Sequence, residues 1–242
     1  DVFGFQFNSV WAFVESLSNQ VRQQLPKVFV ETGTYMGGIP HRMLEQTKSL
    51  GPFEKLYTIE LGTEIAKVAS KRYKLFEKNN NDASLFDCHT NEKDNSFKNS
   101  GDYFDGKLTL INGDSAVELE KLLEKIDEPC CFWLDAHAGA KKFARGDIDV
   151  PLIKELEAIK NHHIKNHIIA IDDAALFGNT HTDNQGNILC DYRNITKELV
   201  EEKIREINPD YSISYAEPYG QLMVVAAVNK TIGQNQWWSK WR

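Results

Sequence analysis

Short apolar runs alternate with longer stretches of helical period along most of this chain. Five runs read as strands: Lys27 to Glu31, Leu56 to Glu60, Lys107 to Asn112, Cys130 to Leu134 and His167 to Ile171. Between them, apolar residues recur at three- and four-residue spacing over Gly38 to Lys48, Thr63 to Lys78, Ser115 to Lys125 and Val150 to Asn161. Strand–helix alternation of this kind predicts an α/β fold built on a mostly parallel sheet. An N-terminal helix is expected over residues 9–24, where Val10, Phe13, Val14, Leu17 and Val21 share one face. The pattern changes near the end. A helix over Ile195 to Ile207 precedes two strand-like runs, Tyr211 to Ala216 and Gln221 to Val228, joined by the Pro-Tyr-Gly turn at 218–220.

Two segments break the periodicity. Residues 79–106 begin with three asparagines, stay polar and read as a surface insertion. Residues 177–191, rich in Gly, Asn, Thr and Asp, read as a loop after the fifth strand. The Trp-rich tail over 229–242 has no clear pattern. No repeat or long linker divides the 242 residues, so one domain is expected. The chain opens on Asp, which suggests excision from a longer polypeptide and other domains of that parent as partners. A net charge of −7 argues against a nucleic-acid partner, because phosphate neutralisation needs a basic surface. No run is long enough to span a bilayer, and no signal-peptide pattern opens the chain. The four cysteines lack CxxC spacing and read as reduced thiols, so a cytoplasmic location is expected.

The first strand leads into Val28-Phe-Val-Glu-Thr-Gly-Thr-Tyr-Met-Gly-Gly38, a glycine-punctuated turn of the kind that binds ligands at strand ends in open α/β sheets. A dinucleotide fingerprint needs glycine at its first, third and sixth positions. Those positions are Gly33, Tyr35 and Gly38, and the aromatic in the middle blocks close approach of a pyrophosphate. Glu31 would repel phosphate and welcome an ammonium or sulfonium group. S-adenosylmethionine (SAM) fits that preference, and an NAD-dependent dehydrogenase does not. Glu60 closes the second strand, where an acidic residue accepts hydrogen bonds from ribose hydroxyls. The third strand ends in Asn112-Gly-Asp-Ser115, whose Asp114 or Ser115 caps the next helix or borders an adenine.

Asp135 ends the fourth strand, and Asp172 and Asp173 end the fifth. If those strands are neighbours, their ends lie about 5 Å apart. Three converging carboxylates repel one another unless a cation lies between them. An all-oxygen set suits Mg²⁺, Mn²⁺ or Ca²⁺. His137, two residues past Asp135, is the natural general base, with Lys141 as its rival. His162, His163 and His167 read as a solvated connection between helix and strand.

These segments, in this order, resemble class I SAM-dependent methyltransferases over residues 27 to 228. They are most similar to the divalent-metal-dependent O-methyltransferases of the catechol and sugar types. The resemblance implies a Rossmann-like, mostly parallel seven-stranded sheet with helices on both faces and an antiparallel C-terminal hairpin strand. It implies that Glu31, Gly33 and Gly37 border the methionine end of SAM, Glu60 the ribose, and Asp114 and Ser115 the adenine. Thr32, Thr34, Tyr35, Leu61, Gly113 and Asp135 complete the expected cofactor set. Asp135, Asp172 and Asp173 match the family's metal ligands. In some relatives the base lies three residues past the first ligand, which is Ala138 here. The activity so implied is metal-assisted O-methylation of a hydroxyl on a small-molecule, sugar or glycan acceptor. Two alternatives are a metal-independent small-molecule methyltransferase and a non-catalytic SAM- or nucleotide-sugar-binding module of a larger glycan-synthesis protein.

Overall fold

The computed structural model describes residues 24–35, 37–38, 53–78, 100–139, 144–216 and 222–228. The expected helices at 9–24 and Gly38 to Lys48, the turn at 218–220, the tail at 229–242 and Lys141 lie wholly or mainly outside them. So does most of the 79–106 segment.

Among the described residues, eight strands form the main sheet. They are β1 (Val28–Thr32), β2 (Lys55–Glu60), β3 (Gly101–Tyr103), β4 (Leu108–Asn112), β5 (Cys130–Leu134), β6 (Ile168–Ile171), β9 (Ser212–Ala216) and β10 (Met223–Ala227). Between β6 and β9 in the chain, β7 (Thr180–Thr182) and β8 (Ile188–Asp191) pair as a separate hairpin. The order across the main sheet is β3-β4-β2-β1-β5-β6-β10-β9. Strands β4, β2, β1, β5 and β6 are parallel, whereas β3 and β10 run antiparallel to their neighbours. Chain order reverses at β1, which lies between β2 and β5. That reversal opens a crevice at the strands' carboxyl ends.

The central strands β5 and β6 are apolar throughout, and β1 is apolar up to Glu31, because both faces are covered. Every residue of β1 and β5 is buried. Helix α1 (Thr63–Lys78) covers one face with the stripe Ala66, Ala69, Ser70, Tyr73 and Phe76. Helices α2 (Ser115–Leu123), α3 (Leu152–Asn161) and α4 (Lys197–Ile207) pack in series on the other. Their starts follow side-chain chemistry. Asp114 accepts from the Ala116 amide at 2.9 Å, and Thr196 accepts from Leu199 at 3.2 Å. None of the helices in the described residues is long and apolar enough to cross a membrane.

Three expectations need correction. The sheet has eight strands, not seven, because Gly101–Tyr103 pairs with the edge of β4. The polar character that marks 79–106 as an insertion also suits a short, half-covered edge strand. Residues 177–191 contain the β7–β8 hairpin, turned by Asp183, whose carboxylate accepts from the amides of Gln185 and Asn187. Finally, His162 and His167 are buried. The Cys130 amide donates to His167 Nδ1 at 3.0 Å, so His167 must donate through Nε2 to His162 Nδ1, also at 3.0 Å. His162 Nε2 then donates to the Ile126 carbonyl at 2.9 Å. This directed relay ties β5, β6 and the end of α3 together; only His163 is exposed. The three cysteines among the described residues are buried thiols.

Candidate cofactor and metal site

A cavity of about 570 Å³ opens over the carboxyl ends of the parallel strands. Gly33, Tyr35, Glu60, Leu61 and the Gly113–Ser115 turn line one half. Asp135, His137, Asp173 and Leu176 line the other, with Ile148, Asp149, His181 and Leu189 from the outer loops. Among the described residues its walls carry five carboxylates (Glu60, Asp114, Asp135, Asp149 and Asp173) and no lysine or arginine. Such a cavity attracts cations and repels phosphates.

The turn after β1 is built by close approach. Gly33 has φ of +83°, and a Cβ there would meet the Asp135 carbonyl oxygen at 2.5 Å. Gly37 has φ of +77°, with the Tyr73 hydroxyl 2.7 Å from where its Cβ would be. Tyr35 is left-handed too, at φ 49°, and its amide donates to Glu60 Oε2 at 2.8 Å. Glu60 Oε1 accepts from the Gly62 amide at 2.7 Å, so one carboxylate joins the turns after β1 and β2. Burial raises the Glu60 pKa, and these two amides oppose the shift. Thr32, Thr34 and Gly37 stand behind the cavity wall, and Thr34 hydrogen-bonds Thr58.

Glu31 is fully buried behind Gly33. Thr58 donates to its Oε2 at 2.5 Å, but Oε1 has no partner. Burial, only partly offset by that hydroxyl, pushes its pKa to about 8. Asp135 is pushed well above the carboxylate range, first by burial and then by Asp172, Asp173 and Glu31. Its Oδ1 is buried without a partner; the Trp133 indole N–H beside it favours the charged form but closes no hydrogen bond of normal geometry. Two buried, unpaired carboxylate oxygens on adjacent strands are costly unless a cation arrives.

Strands β5 and β6 are neighbours, with Leu134 opposite Ile171, so the acidic strand ends meet. One ligand atom each from Asp135, His137 and Asp173 lie within 4.8 Å of one another. Asp172 is arranged differently. It is 4% exposed, and its Oδ1 accepts from the Asp173 amide at 2.9 Å. Burial and Asp173 raise its pKa to about 7. Asp173 adopts a left-handed backbone, φ 57°, which turns its side chain to the Tyr192 hydroxyl (3.4 Å) and His137 Nε2 (3.2 Å). The other His137 nitrogen, Nδ1, donates to the Ala138 carbonyl at 2.7 Å. Burial lowers the His137 pKa, but the Cys190 sulfur, Asp173 and that carbonyl outweigh it and hold it at about 9.

Several contributing residues have no local sequence signal. Thr58, Cys190 and Tyr192 reach the site through strand pairing and the hairpin. Arg145 holds the hairpin to the loop below it, donating to the Leu189 carbonyl at 2.5 Å and pairing with Asp149 at 3.4 Å. Glu155 does carry a signal: a carboxylate on the buried stripe Leu152, Leu156 and Ile159 of α3. It is 1% exposed, and burial raises its pKa to about 7. The Ser115 and Thr32 hydroxyls beside it oppose that shift without making hydrogen bonds of normal geometry.

No family model matches this sequence. No curated protein matches it significantly. Among solved structures, the human methyltransferase-like protein 13 in complex with SAH aligns with 93% of this chain and 82% of its own, at 9% identity and a TM-score of 0.51. An SAH-bound methyltransferase of Podospora anserina aligns with 87% of this chain and 80% of its own, at 12% identity and a TM-score of 0.48. The first of these, with the strand order, the reversal at β1 and the antiparallel β10, gives this chain the Rossmann-like fold of class I methyltransferases.

Proposed function

We propose that this chain is a SAM-dependent O-methyltransferase, assisted by a divalent cation, that acts on a hydroxyl of a sugar or glycan. One observation carries the reading: the cavity at the sheet's switch point has five carboxylates, no lysine or arginine among its described walls, and an unpaired buried Asp135 oxygen. SAM brings a sulfonium and an ammonium group into such a site, and a divalent cation brings the remaining positive charge. Gly33 and Tyr35 would face the methionine end with Glu31, Thr32 and Thr34 behind them, Glu60 and Leu61 the ribose, and Gly113, Asp114 and Ser115 the adenine.

Asp135 and Asp173 fit a hard or borderline cation, because their oxygens converge and one has no other partner. When bound, the cation would act as a Lewis acid that lowers the pKa of an acceptor hydroxyl. The acceptor oxygen would form its bond to the methyl carbon as the carbon–sulfur bond breaks, giving a methyl ether and S-adenosylhomocysteine. Of the two proton acceptors the sequence offers, His137 faces oxygen acceptors from both ring nitrogens and is cationic at neutral pH. Lys141, the other acceptor, lies outside the described residues. Leu176 and Leu189 add apolar surface to the cavity lining, which suits the C–H face of a sugar ring.

Replacing Asp135 with Ala should abolish divalent-dependent methyl transfer to a hydroxyl while SAM still binds. Normal turnover by that variant in the presence of a chelator would instead support a metal-independent methyltransferase.

A further inference from the structure

We propose that His137 is itself a ligand of the cation, giving a site of two carboxylates and one imidazole that selects a borderline transition ion over Mg²⁺ or Ca²⁺. This rests on the reading above that a divalent cation binds at the mouth of β5 and β6.

The argument begins with the imidazole's tautomer. A carbonyl oxygen only accepts, so the 2.7 Å contact with Ala138 fixes the proton on Nδ1. Ala138 is 4% exposed, and its amide donates to the Asp149 carbonyl at 2.6 Å, so the carbonyl that orients the ring is held in place. A backbone carbonyl on one ring nitrogen is the usual support for a metal on the other. The second nitrogen, Nε2, points at Asp173 Oδ2 from 3.2 Å. That spacing places a positive charge between nitrogen and carboxylate: a proton in the cation-free protein, which a metal ion bound to both would displace. Adjacent ligands on a six-coordinate ion with bonds near 2.1 Å lie about 3 Å apart, close to the separation found here.

Two further observations point the same way. Asp135, the third donor, has a buried Oδ1 that makes no hydrogen bond. Asp172, the carboxylate that an all-oxygen site would recruit, is absent from the cavity wall and has one oxygen committed to the Asp173 amide. The Tyr192 hydroxyl on Asp173 supplies the outer support for that ligand. Imidazole nitrogen in the donor set favours Fe²⁺, Ni²⁺ or Zn²⁺ over the alkaline-earth ions, which prefer oxygen alone; Mn²⁺, which accepts both donor types, serves as the spectroscopic probe.

The test is pulsed electron paramagnetic resonance on the full chain loaded with Mn²⁺. Wild type should show echo modulation from one directly bound nitrogen, and labelling histidine with ¹⁵N should convert it to the ¹⁵N pattern. His137→Ala should lose the modulation and bind Mn²⁺ at least ~10-fold more weakly, with the weaker His137→Asp site regaining preference for Mg²⁺. Mn²⁺ bound in wild type without nitrogen modulation would overturn the ligand assignment and leave the divalent-cation reading intact. So would modulation that survives His137→Ala. If Mn²⁺ at millimolar concentration did not bind at all, both would fall.

Discussion

At Gly33 the fold and the site depend on the same missing atom. Its left-handed φ and the 2.5 Å approach to the Asp135 carbonyl leave no room for Cβ, and the obstacle is backbone, which does not yield. Gly33→Ala should therefore destabilise the protein by on the order of 3 kcal/mol, measured by urea unfolding. A loss within about 0.5 kcal/mol would show that the turn is softer than its geometry implies. Glu155 makes a different prediction. Its folded pKa is raised to about 7 from 4.5, so the stability it contributes is fully present below pH 4.5 and lost as pH rises through 7. Glu155→Gln should flatten the pH dependence of stability over that interval, and an unchanged slope would mean the carboxyl is not the group that titrates. Gly33, Glu31 and the acidic strand ends were legible in the sequence because each stands at a fixed place in a strand–turn–helix unit. Thr58 was not, because its contact with Glu31 depends on strand register across 27 positions.

Elements were easier to read than their contacts. Helix α1 lies where its period puts it, and the parallel strands agree to within a residue or so at their ends. The β7–β8 hairpin was hidden because its polar composition is that of a loop; its outer side is exposed, and only Cys190 within it is buried. The hairpin and Leu176 form the wall beside Asp173, so Leu189→Ser should raise the acceptor KM several-fold, roughly 3–10, with SAM affinity unchanged. Equal loss for both ligands would place Leu189 in the SAM half instead. The buried histidine relay was missed for the opposite reason: three histidines near a polar helix end look solvated until the strands pair. His167 is held neutral, its pKa lowered to about 4 by burial first and then by His162. Its stabilising effect is complete above pH 6.5 and lost as pH falls towards 4, a change of up to about 3 kcal/mol. Urea unfolding over that range should show the slope in wild type and not in His167→Gln.

Three buried carboxylates stand outside the cavity lining, in the core of the fold. Glu31, Glu155 and Asp172 all have raised pKa values, reaching about 8, 7 and 7. Each is better tolerated protonated in the folded state, so together they weaken the ligand-free protein as pH rises from 6.5 to 8, above the window in which His167 acts. Saturating SAM with a divalent cation should offset that fall, because ligands that bind only the folded state add stability by mass action. Thermal melting midpoints should therefore drop with pH in the absence of ligand and level off in its presence. Midpoints that rise through this interval without ligand would mean the acidic cluster is already neutralised.

The central claim is that the cavity at the β1 switch point receives a cationic nucleoside ligand and rejects phosphate. Calorimetric titration of the full chain with SAM and, separately, with NAD⁺ tests it most directly. The account predicts one SAM bound per chain with a Kd in the micromolar range, on the order of −8 kcal/mol, and no heat from NAD⁺ at millimolar concentration. Saturable NAD⁺ binding, or the absence of any SAM binding, would contradict it.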